Sequence, residues 1–152
     1  MTDSQKDVLR KAALFCAYQE RTQQEVRSRL KEWGVWGDDA EEIIAELINQ
    51  NYLNEERFAK AFAGGKFRVK GWGKRKIKQH LQQRGITGYN FDQAMKEIAP
   101  EDYRTTLVDL LDKKRRSIRD DNPLVVKQKL VRYALSKGYE SELIFAVLGS
   151  EE

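Results

Sequence analysis

Three stretches of the chain repeat one pattern of apolar residues and glycine, and this repeat limits the possible folds more than any other sequence feature. In the central copy, Ile77 and Leu81 lie four residues apart, and Gly85 follows after four more. The same spacing occurs before Gly34 and before Gly138. Apolar residues at i and i+4 followed by glycine are typical of the last turns of a helix that ends at a left-handed glycine. The pattern therefore predicts three copies of one helical unit.

Each copy also has an amphipathic stretch before the pattern and another after it, so each copy predicts three helices. Thr22 with Glu25 resembles a capping box, and Asn122 with Pro123 supplies a cap and a first-turn proline at the matching place in the third copy. The predicted helices span residues 5–18, 23–33, 39–49, 55–68, 74–84, 91–98, 102–118, 124–137 and 141–148. The predicted fold class is all-α, with repeats at residues 1–53, 54–100 and 101–152.

The size of each repeat predicts how the repeats are arranged. A unit of about 50 residues buries too little apolar surface to be stable alone, so neighbouring repeats are expected to stack. A linear stack of three units exposes a long surface. We therefore expect an elongated, curved helical array.

Several classes of protein are not expected from this composition. No apolar run approaches the roughly 20 residues that cross a bilayer, and the N-terminus lacks the pattern of a signal peptide, so we expect a cytoplasmic protein. A single cysteine, Cys16, and a single histidine, His80, give neither a disulfide nor a common zinc site. Cys16 is expected to fill the core, and His80 is expected to be a packing residue on the apolar edge of its helix. The sequence Gly64, Gly65, Lys66 lacks the Ser or Thr of a phosphate-binding loop. We expect a protein that is not an enzyme and has no cofactor or metal.

Charge is distributed very unevenly along the chain. Residues 1–56 have a net charge of −5, residues 57–91 have +10, and residues 92–152 have −1. The central 35 residues contain ten basic side chains and no carboxylate. Such a segment in a chain otherwise rich in Asp and Glu predicts a surface that binds a polyanion.

Two clusters of basic residues are candidates for that surface. The central cluster surrounds Trp72, whose ring is expected either to stack on a base or partner or to cover a helix junction. Its basic members are Lys66, Arg68, Lys70, Lys74, Arg75 and Lys78. Of these, Lys74, Arg75 and Lys78 are predicted to share one solvated face of a helix. The second, weaker cluster is partly offset by Asp120 and Asp121, and its members are Lys113, Lys114, Arg115, Arg116, Arg119, Lys127, Lys129 and Arg132. Its candidate contacts are Lys113, Arg116, Arg119, Lys127, Lys129 and Arg132.

These residues resemble the motifs of the bacterial RecX regulatory proteins. The stretch YLNEERFA at residues 52–59 resembles one motif, and the stretch from Gly71 to Ile86 resembles the central signature. The third repeat is similar from Lys127 to Tyr139. The resemblance implies a modulator of the RecA recombinase that lies in the groove of RecA filaments on DNA. It further implies inhibition of the RecA ATPase, strand-exchange and coprotease activities, and it adds Arg57 to the candidate contacts with RecA or DNA.

Two other functions agree with the residues alone. The chain could be a sequence-specific or general DNA-binding protein that uses helix 74–84 for recognition. Alternatively, it could be a helical scaffold that recognises an acidic protein without nucleic acid. In each case we expect a monomer whose partner is single- or double-stranded DNA, a RecA filament or an acidic protein, with no membrane involved.

Overall fold

The computed structural model describes residues 1–150, and within that range the chain forms nine helices and no strands. The helices are α1 Asp3–Tyr18, α2 Gln23–Glu32, α3 Gly37–Asn49, α4 Glu55–Lys70, α5 Lys74–Gln83, α6 Gly88–Met95, α7 Pro100–Ser117, α8 Pro123–Ser136 and α9 Ser141–Ser150. The predicted all-α tandem repeat is confirmed, with α1–α3, α4–α6 and α7–α9 as the three units. The largest difference is at α6, which begins at Gly88 rather than at residue 91.

The glycine that ends the second helix of each repeat is left-handed, as predicted. The φ angles are +82° at Gly34, +78° at Gly85 and +98° at Gly138. At Gly85, the amide of Ile86 donates to the carbonyl of Leu81 at 2.9 Å, and equivalent bonds close the other two junctions. This closure satisfies carbonyls that the helix leaves free and turns the chain toward the third helix of the repeat.

The repeats do not share one continuous core. The first repeat has a core of its own, formed by Ala12, Cys16, Val26, Leu30, Ala40, Ile43, Ile44, Leu47 and Leu53. A second core runs from Phe58 to Leu148 and joins the second and third repeats. Cys16 is only 4% exposed, and burial raises the pKa of its thiol, so its predicted role as a packing residue is confirmed. The second and third repeats therefore pack through a shared core, whereas the first repeat keeps a separate one.

The junction between the first and second repeats is polar, which explains the separate core. Arg57 of α4 forms an ion pair with Glu20, which lies just before α2. The amide of Gln23 donates to the Glu55 carboxylate at 3.0 Å. Polar groups that pair across a junction exclude the apolar side chains that would otherwise merge the two cores.

The chain is more extended than a compact protein of its mass. Its accessible surface is 9467 Å² for 17.7 kDa. A compact monomer of that mass is expected to expose about 7,900 Å². Among the described helices, none combines the length and apolar character needed to cross a bilayer.

Candidate nucleic-acid interface

The second and third repeats are joined where the start of α5 meets the end of α8. The amide of Gly73 donates to the carbonyl of Lys137 at 2.7 Å, and the amide of Arg75 donates to the carbonyl of Gly138 at 2.9 Å. The free amides at the start of one helix thus pair with the carbonyls that end another, and the two helix dipoles attract. This contact fixes the direction of α5, the most basic helix of the chain.

A pair of buried tyrosines strengthens the same junction. The hydroxyl of Tyr103, a residue only 4% exposed, accepts from the amide of Lys74 at 2.8 Å and donates to Glu140 at 2.7 Å. Its ring stacks on Tyr139 with 4.9 Å between centroids, and the Tyr139 hydroxyl donates to the carbonyl of Gly71 at 2.9 Å. Burial raises the pKa of both phenols, so both stay protonated and able to donate.

A basic groove of about 690 Å³ lies between α5 and the end of α8. We call it the α5–α8 groove. Its lining residues are Arg75, Lys76, Lys78, Gln79, Gln82, Leu135, Ser136 and Gly138. Three of them are cations and none is a carboxylate, so the charged residues that line the groove all attract an anion.

A second basic groove, of about 670 Å³, lies between the end of α7 and α8. We call it the α7–α8 groove. Its lining residues are Lys114, Ser117, Ile118, Arg119, Lys129, Arg132, Tyr133 and Ser136. Because Ser136 lines both grooves, the two form one basic surface that crosses the junction of the second and third repeats.

The basic surface contains residues from both predicted clusters. Arg75 and Lys78 come from the central cluster, while Arg119, Lys129 and Arg132 come from the second. These residues are separated by up to 57 positions in the sequence, yet they line adjoining grooves. The fold therefore brings the two clusters together.

Two further cations line the surface: Lys76 was not among the predicted residues, and Lys114 was predicted only as a member of the second cluster. Lys76 lies in the α5–α8 groove, and Lys114 lies in the α7–α8 groove with its ammonium 5.1 Å from the centre of the Tyr133 ring. Each of these two lysines has several lysines and arginines as neighbours in the sequence, and this density indicated a basic surface. Which of these cations face the grooves depends on contacts between helices, and helical periodicity within one helix does not contain that information.

Lys74 differs from the predicted arrangement. It is half-buried, and its ammonium lies 4.8 Å from the centre of the Tyr103 ring. Arg75 and Lys78 are exposed. The prediction that the three share one solvated face is therefore wrong for Lys74, because the third repeat packs against the start of α5.

Trp72 covers a helix junction, which is one of its two predicted roles. Its ring contacts His80 with 4.5 Å between centroids and Phe62 with 6.2 Å. The ammonium groups of Lys66 and Lys76 lie 5.0 and 4.7 Å from the ring centre. The predicted packing role of His80 is confirmed by these contacts, and Lys66 is placed over the Trp72 ring rather than in either basic groove.

Three predicted residues lie in a different groove. Arg68, Lys70 and Lys113 line a depression of about 530 Å³ between α4 and α7. Asp102 and Asp109 line the same depression. The carboxylates offset the cations, so this groove is less suited to a phosphate backbone than the basic surface.

The guanidinium of Arg57 binds groups of the chain itself. Besides its ion pair with Glu20, its guanidinium donates to the Asn51 side chain at 3.2 Å, to the Asn51 carbonyl at 3.2 Å and to the Tyr52 carbonyl at 3.3 Å. The bond to Glu20 raises the pKa of Arg57. These bonds give Arg57 a structural role at the first junction, in contrast to the external contact implied by the family resemblance.

The last two predicted residues are Arg116 and Lys127. Arg116 is exposed near the end of α7. Lys127 lines a groove with Asp120 and Asp121, and it also lines an apolar groove between α8 and α9. Neither residue is among those that line the two basic grooves.

Comparison with known proteins identifies the family. Three family models match in order: the first three-helix domain of RecX at residues 9–47, the second at 54–95 and the third at 101–148. A protein of Pasteurella multocida named regulatory protein RecX is 31% identical over 138 residues, which cover 90% of this chain and 82% of that protein. The chain belongs to the RecX family. The resemblance seen in the sequence motifs is thereby confirmed.

Other RecX proteins differ in length. A regulatory protein RecX of Bacillus cytotoxicus is 27% identical over 133 residues, which cover 88% of this chain and 49% of that protein. The chain thus spans about half the length of this relative. The crystal structure of RecX from Lactobacillus salivarius superposes with a TM-score of 0.90 at 22% identity, covering 99% of this chain and 97% of the other. At 22% identity, the superposition shows that the two proteins share a fold.

Proposed function

We propose that this RecX-family chain binds RecA recombinase filaments on DNA and inhibits the ATPase, strand-exchange and coprotease activities of RecA. The observation that carries the proposal is the basic surface formed by the α5–α8 and α7–α8 grooves. Seven lysine and arginine side chains line it: Arg75, Lys76, Lys78, Lys114, Arg119, Lys129 and Arg132. Their presence in a member of a family of regulatory proteins supports a regulator that acts on a complex containing DNA.

The geometry suits binding along a polyanion. The bonds at Gly73 and Arg75 and the Tyr103 network hold α5 and α8 in a fixed relation, so the cations of the two grooves keep their spacing. Cations that contact phosphates release counterions, which provides affinity independent of base sequence. The extended shape of the chain allows the remaining repeats to contact protein subunits beside the DNA.

The proposed effect on RecA arises from binding and involves no chemical step on this chain. A protein that occupies the groove of a filament opposes the subunit movements that accompany nucleotide turnover. We expect the chain to act as a monomer in the cytoplasm and to need no cofactor.

The proposal is tested by adding the protein to RecA without DNA, to single-stranded DNA alone and to RecA on single-stranded DNA. Binding is followed by fluorescence anisotropy and ATP turnover by phosphate release. We expect the tightest binding to the filament and a decrease of ATP turnover as the protein is added. An unchanged ATPase rate at saturating protein contradicts the proposal.

A general DNA-binding role is the second candidate, because the basic surface needs only phosphates to be occupied. Equal affinity for naked DNA and for the filament supports this candidate. Preference for one base sequence over another supports recognition by α5. Binding to RecA without DNA, at the affinity seen with the filament, supports the role of a scaffold for a protein partner.

A further inference from the structure

An apolar groove lies between α8 and α9, on the third repeat. We call it the α8–α9 groove, and its volume is about 610 Å³. Its lining residues are Leu124, Lys127, Gln128, Val131, Arg132, Leu135 and Phe145. The exposed fractions of Leu124, Leu135 and Phe145 are 63%, 43% and 52%. Large apolar side chains that are clustered and this exposed are typical of a site that binds a partner.

Comparison of the three repeats shows that this groove is particular to the third. Equivalent positions lie seven residues before and seven residues after each junction glycine. The pairs at these positions are Arg27 with Glu41, Lys78 with Asp92, and Val131 with Phe145. In the first repeat the pair forms an ion pair at 2.7 Å, with both side chains about half exposed. The third repeat therefore has two apolar residues where the others have opposite charges.

The position three residues before the glycine follows the same trend. It is Lys31 in the first repeat, Gln82 in the second and Leu135 in the third. The repeat fold is thus compatible with polar residues at all of these places. Val131 is partly buried against the core, but folding of the unit does not explain why the third repeat exposes Leu135 and Phe145 beside it, whereas binding of an apolar partner does.

The groove has the form of a helix-binding site. Leu124, Gln128, Val131 and Leu135 follow one another on α8 at i, i+4, i+7 and i+11, so they form a stripe three turns long. Phe145 of α9 forms the opposite wall. A groove between two helices with an apolar floor of this length matches the recognition of an amphipathic helix, which inserts anchors at i, i+4 and i+7.

Charge at the rim indicates the composition of the partner. Arg132 and Lys127 are the charged residues among those lining the groove, and no carboxylate of the described chain is among them. Because Lys127 also lines a neighbouring groove with Asp120 and Asp121, Arg132 provides most of the positive charge at the rim. A second copy of the chain would bring the same cations against themselves, which is unfavourable. We propose that the α8–α9 groove docks an amphipathic helix of a protein partner, with apolar anchors on one face and carboxylates beside them.

The groove adjoins the basic surface. Arg132 lines both the α8–α9 and the α7–α8 grooves, and Leu135 lines both the α8–α9 and the α5–α8 grooves. A docked helix would lie directly beside a polyanion bound on the basic surface. Docking of a helix in the α8–α9 groove depends on the residues of that groove and not on whether the partner of the basic surface is a RecA filament.

The test uses a synthetic helical peptide of about four turns, long enough to cover the stripe. It has leucines at i, i+4, i+7 and i+11, glutamates beside them, and a fluorescent label. A second peptide has lysines in place of the glutamates. We expect the acidic peptide to bind the full chain, and the lysine peptide to bind at least about tenfold more weakly.

Variants locate the binding to the groove. Phe145→Glu and Leu124→Glu are each expected to weaken binding of the acidic peptide by about tenfold or more. Leu14→Glu is the matched control, because Leu14 is 73% exposed on α1 of the first repeat. Circular dichroism checks that each variant folds. If Phe145→Glu does not fold, Leu124→Glu still tests the groove, because Leu124 is exposed and its replacement should not disturb the core.

Three results would overturn the inference. The first is absence of binding by the acidic peptide, and the second is an equal loss in Leu14→Glu. The third is self-association of the parent chain, seen by sedimentation and abolished by Phe145→Glu, which would show that a second copy occupies the groove. Affinity for single-stranded DNA is measured in parallel, because a failure confined to DNA or RecA concerns the basic surface and leaves the peptide result intact.

Discussion

Gly73 and Gly138 lie with their backbones in contact across the junction of the second and third repeats. A Cβ atom at Gly73 would be 2.3 Å from the carbonyl carbon of Gly138. A Cβ atom at Gly138 would be 2.4 Å from the Cβ atom of Lys76. Neither position has room for a side chain, so the hydrogen bonds that orient α5 depend on both glycines.

The first prediction concerns this contact. Gly138→Ala is expected to destabilise the protein more than Gly34→Ala. Both glycines have positive φ, at +98° and +82°, but no described atom lies within 4 Å of a Cβ at Gly34. Gly34→Ala should therefore lower the free energy of unfolding only by the cost of holding an alanine at positive φ, about 1 kcal/mol. Gly138→Ala should cost about 1–3 kcal/mol more, because the two repeats must separate.

The measurement is urea unfolding followed by circular dichroism. Gly73→Ala separates the strain of a positive φ from the clash of the added methyl group. Because φ at Gly73 is −78°, only the clash applies at that position. Equal free energies of unfolding for the Gly34 and Gly138 variants would show that the repeats adjust to the added methyl group.

The second prediction concerns the buried hydroxyl of Tyr103. Tyr103→Phe leaves the Lys74 amide without its acceptor and the Glu140 carboxylate without its donor. Loss of a partner by buried polar groups costs about 1–3 kcal/mol, so we expect a decrease of that size in the free energy of unfolding. Tyr89→Phe is the control, because Tyr89 is 67% exposed, and it should change stability by less than about 0.5 kcal/mol. Identical unfolding curves for both variants would show that water replaces the missing hydrogen bonds.

Much of the fold could be predicted from the sequence because its signals are local. The spacing of Leu130, Ala134 and Gly138 specifies both a helix face and the residue that ends the helix. The same three-residue pattern occurs in each repeat, and each occurrence supports the others. Helix positions and the left-handed glycines follow from such patterns without knowledge of the tertiary structure.

The candidate site could be predicted only in part, because it depends on which helices meet. Lys74 and Lys76 look equivalent in the sequence, yet the first lies against Tyr103 and the second lines the α5–α8 groove. Arg57 resembles the other basic residues, but its partner Glu20 is 37 residues away and belongs to the first repeat. Helical periodicity identifies the face of one helix and does not identify the neighbour that covers it.

The third prediction is a pH dependence that originates at His80. Burial lowers the pKa of this imidazole below its ordinary 6.5, and the nearby charges of Arg84, Lys76 and Lys66 lower it further. Between the ordinary and the lowered pKa, the unfolded chain binds more protons than the folded one, so stability falls as pH decreases through that range. Below the lowered pKa, the contribution of His80 to the free energy of unfolding no longer changes with pH.

Thermal unfolding of the parent and of His80→Gln between pH 8 and pH 5 tests this prediction. Carboxylates titrate in both proteins, so the difference between the two curves isolates the histidine. We expect the parent to lose more stability than the variant on acidification below about pH 6.5. Parallel curves would mean that the imidazole is protonated equally well in the folded and unfolded states.

The fourth prediction concerns the α5–α8 groove. Arg75→Glu with Lys78→Glu removes two cations from its lining, and both residues are exposed, so the fold should be retained. Lys6→Glu with Lys31→Glu is the matched control, since both lysines are exposed in the first repeat and the net charge changes equally. We expect the first pair to weaken binding to single-stranded DNA and the control pair to leave it nearly unchanged.

The salt dependence of that affinity distinguishes direct contacts from the general field of the protein. Removal of one phosphate-binding cation should reduce the slope of log affinity against log salt by about 0.7 on single-stranded DNA. Arg119→Glu with Arg132→Glu applies the same test to the α7–α8 groove, because both side chains line it. If the two groove pairs and the control pair give one common slope, these cations do not bind phosphate.

The same variants separate contacts with DNA from contacts with RecA when the measurement is repeated on the filament. A pair of cations that binds phosphate should, when replaced, reduce affinity and salt slope on both naked DNA and the filament. A pair that binds a RecA subunit should, when replaced, leave the slope on naked DNA unchanged and reduce affinity only for the filament. Because Ser136 joins the two grooves into one surface, we expect both groove pairs to behave in the same way on naked DNA. Opposite behaviour of the two pairs would divide the surface at that serine into a DNA-binding part and a protein-binding part.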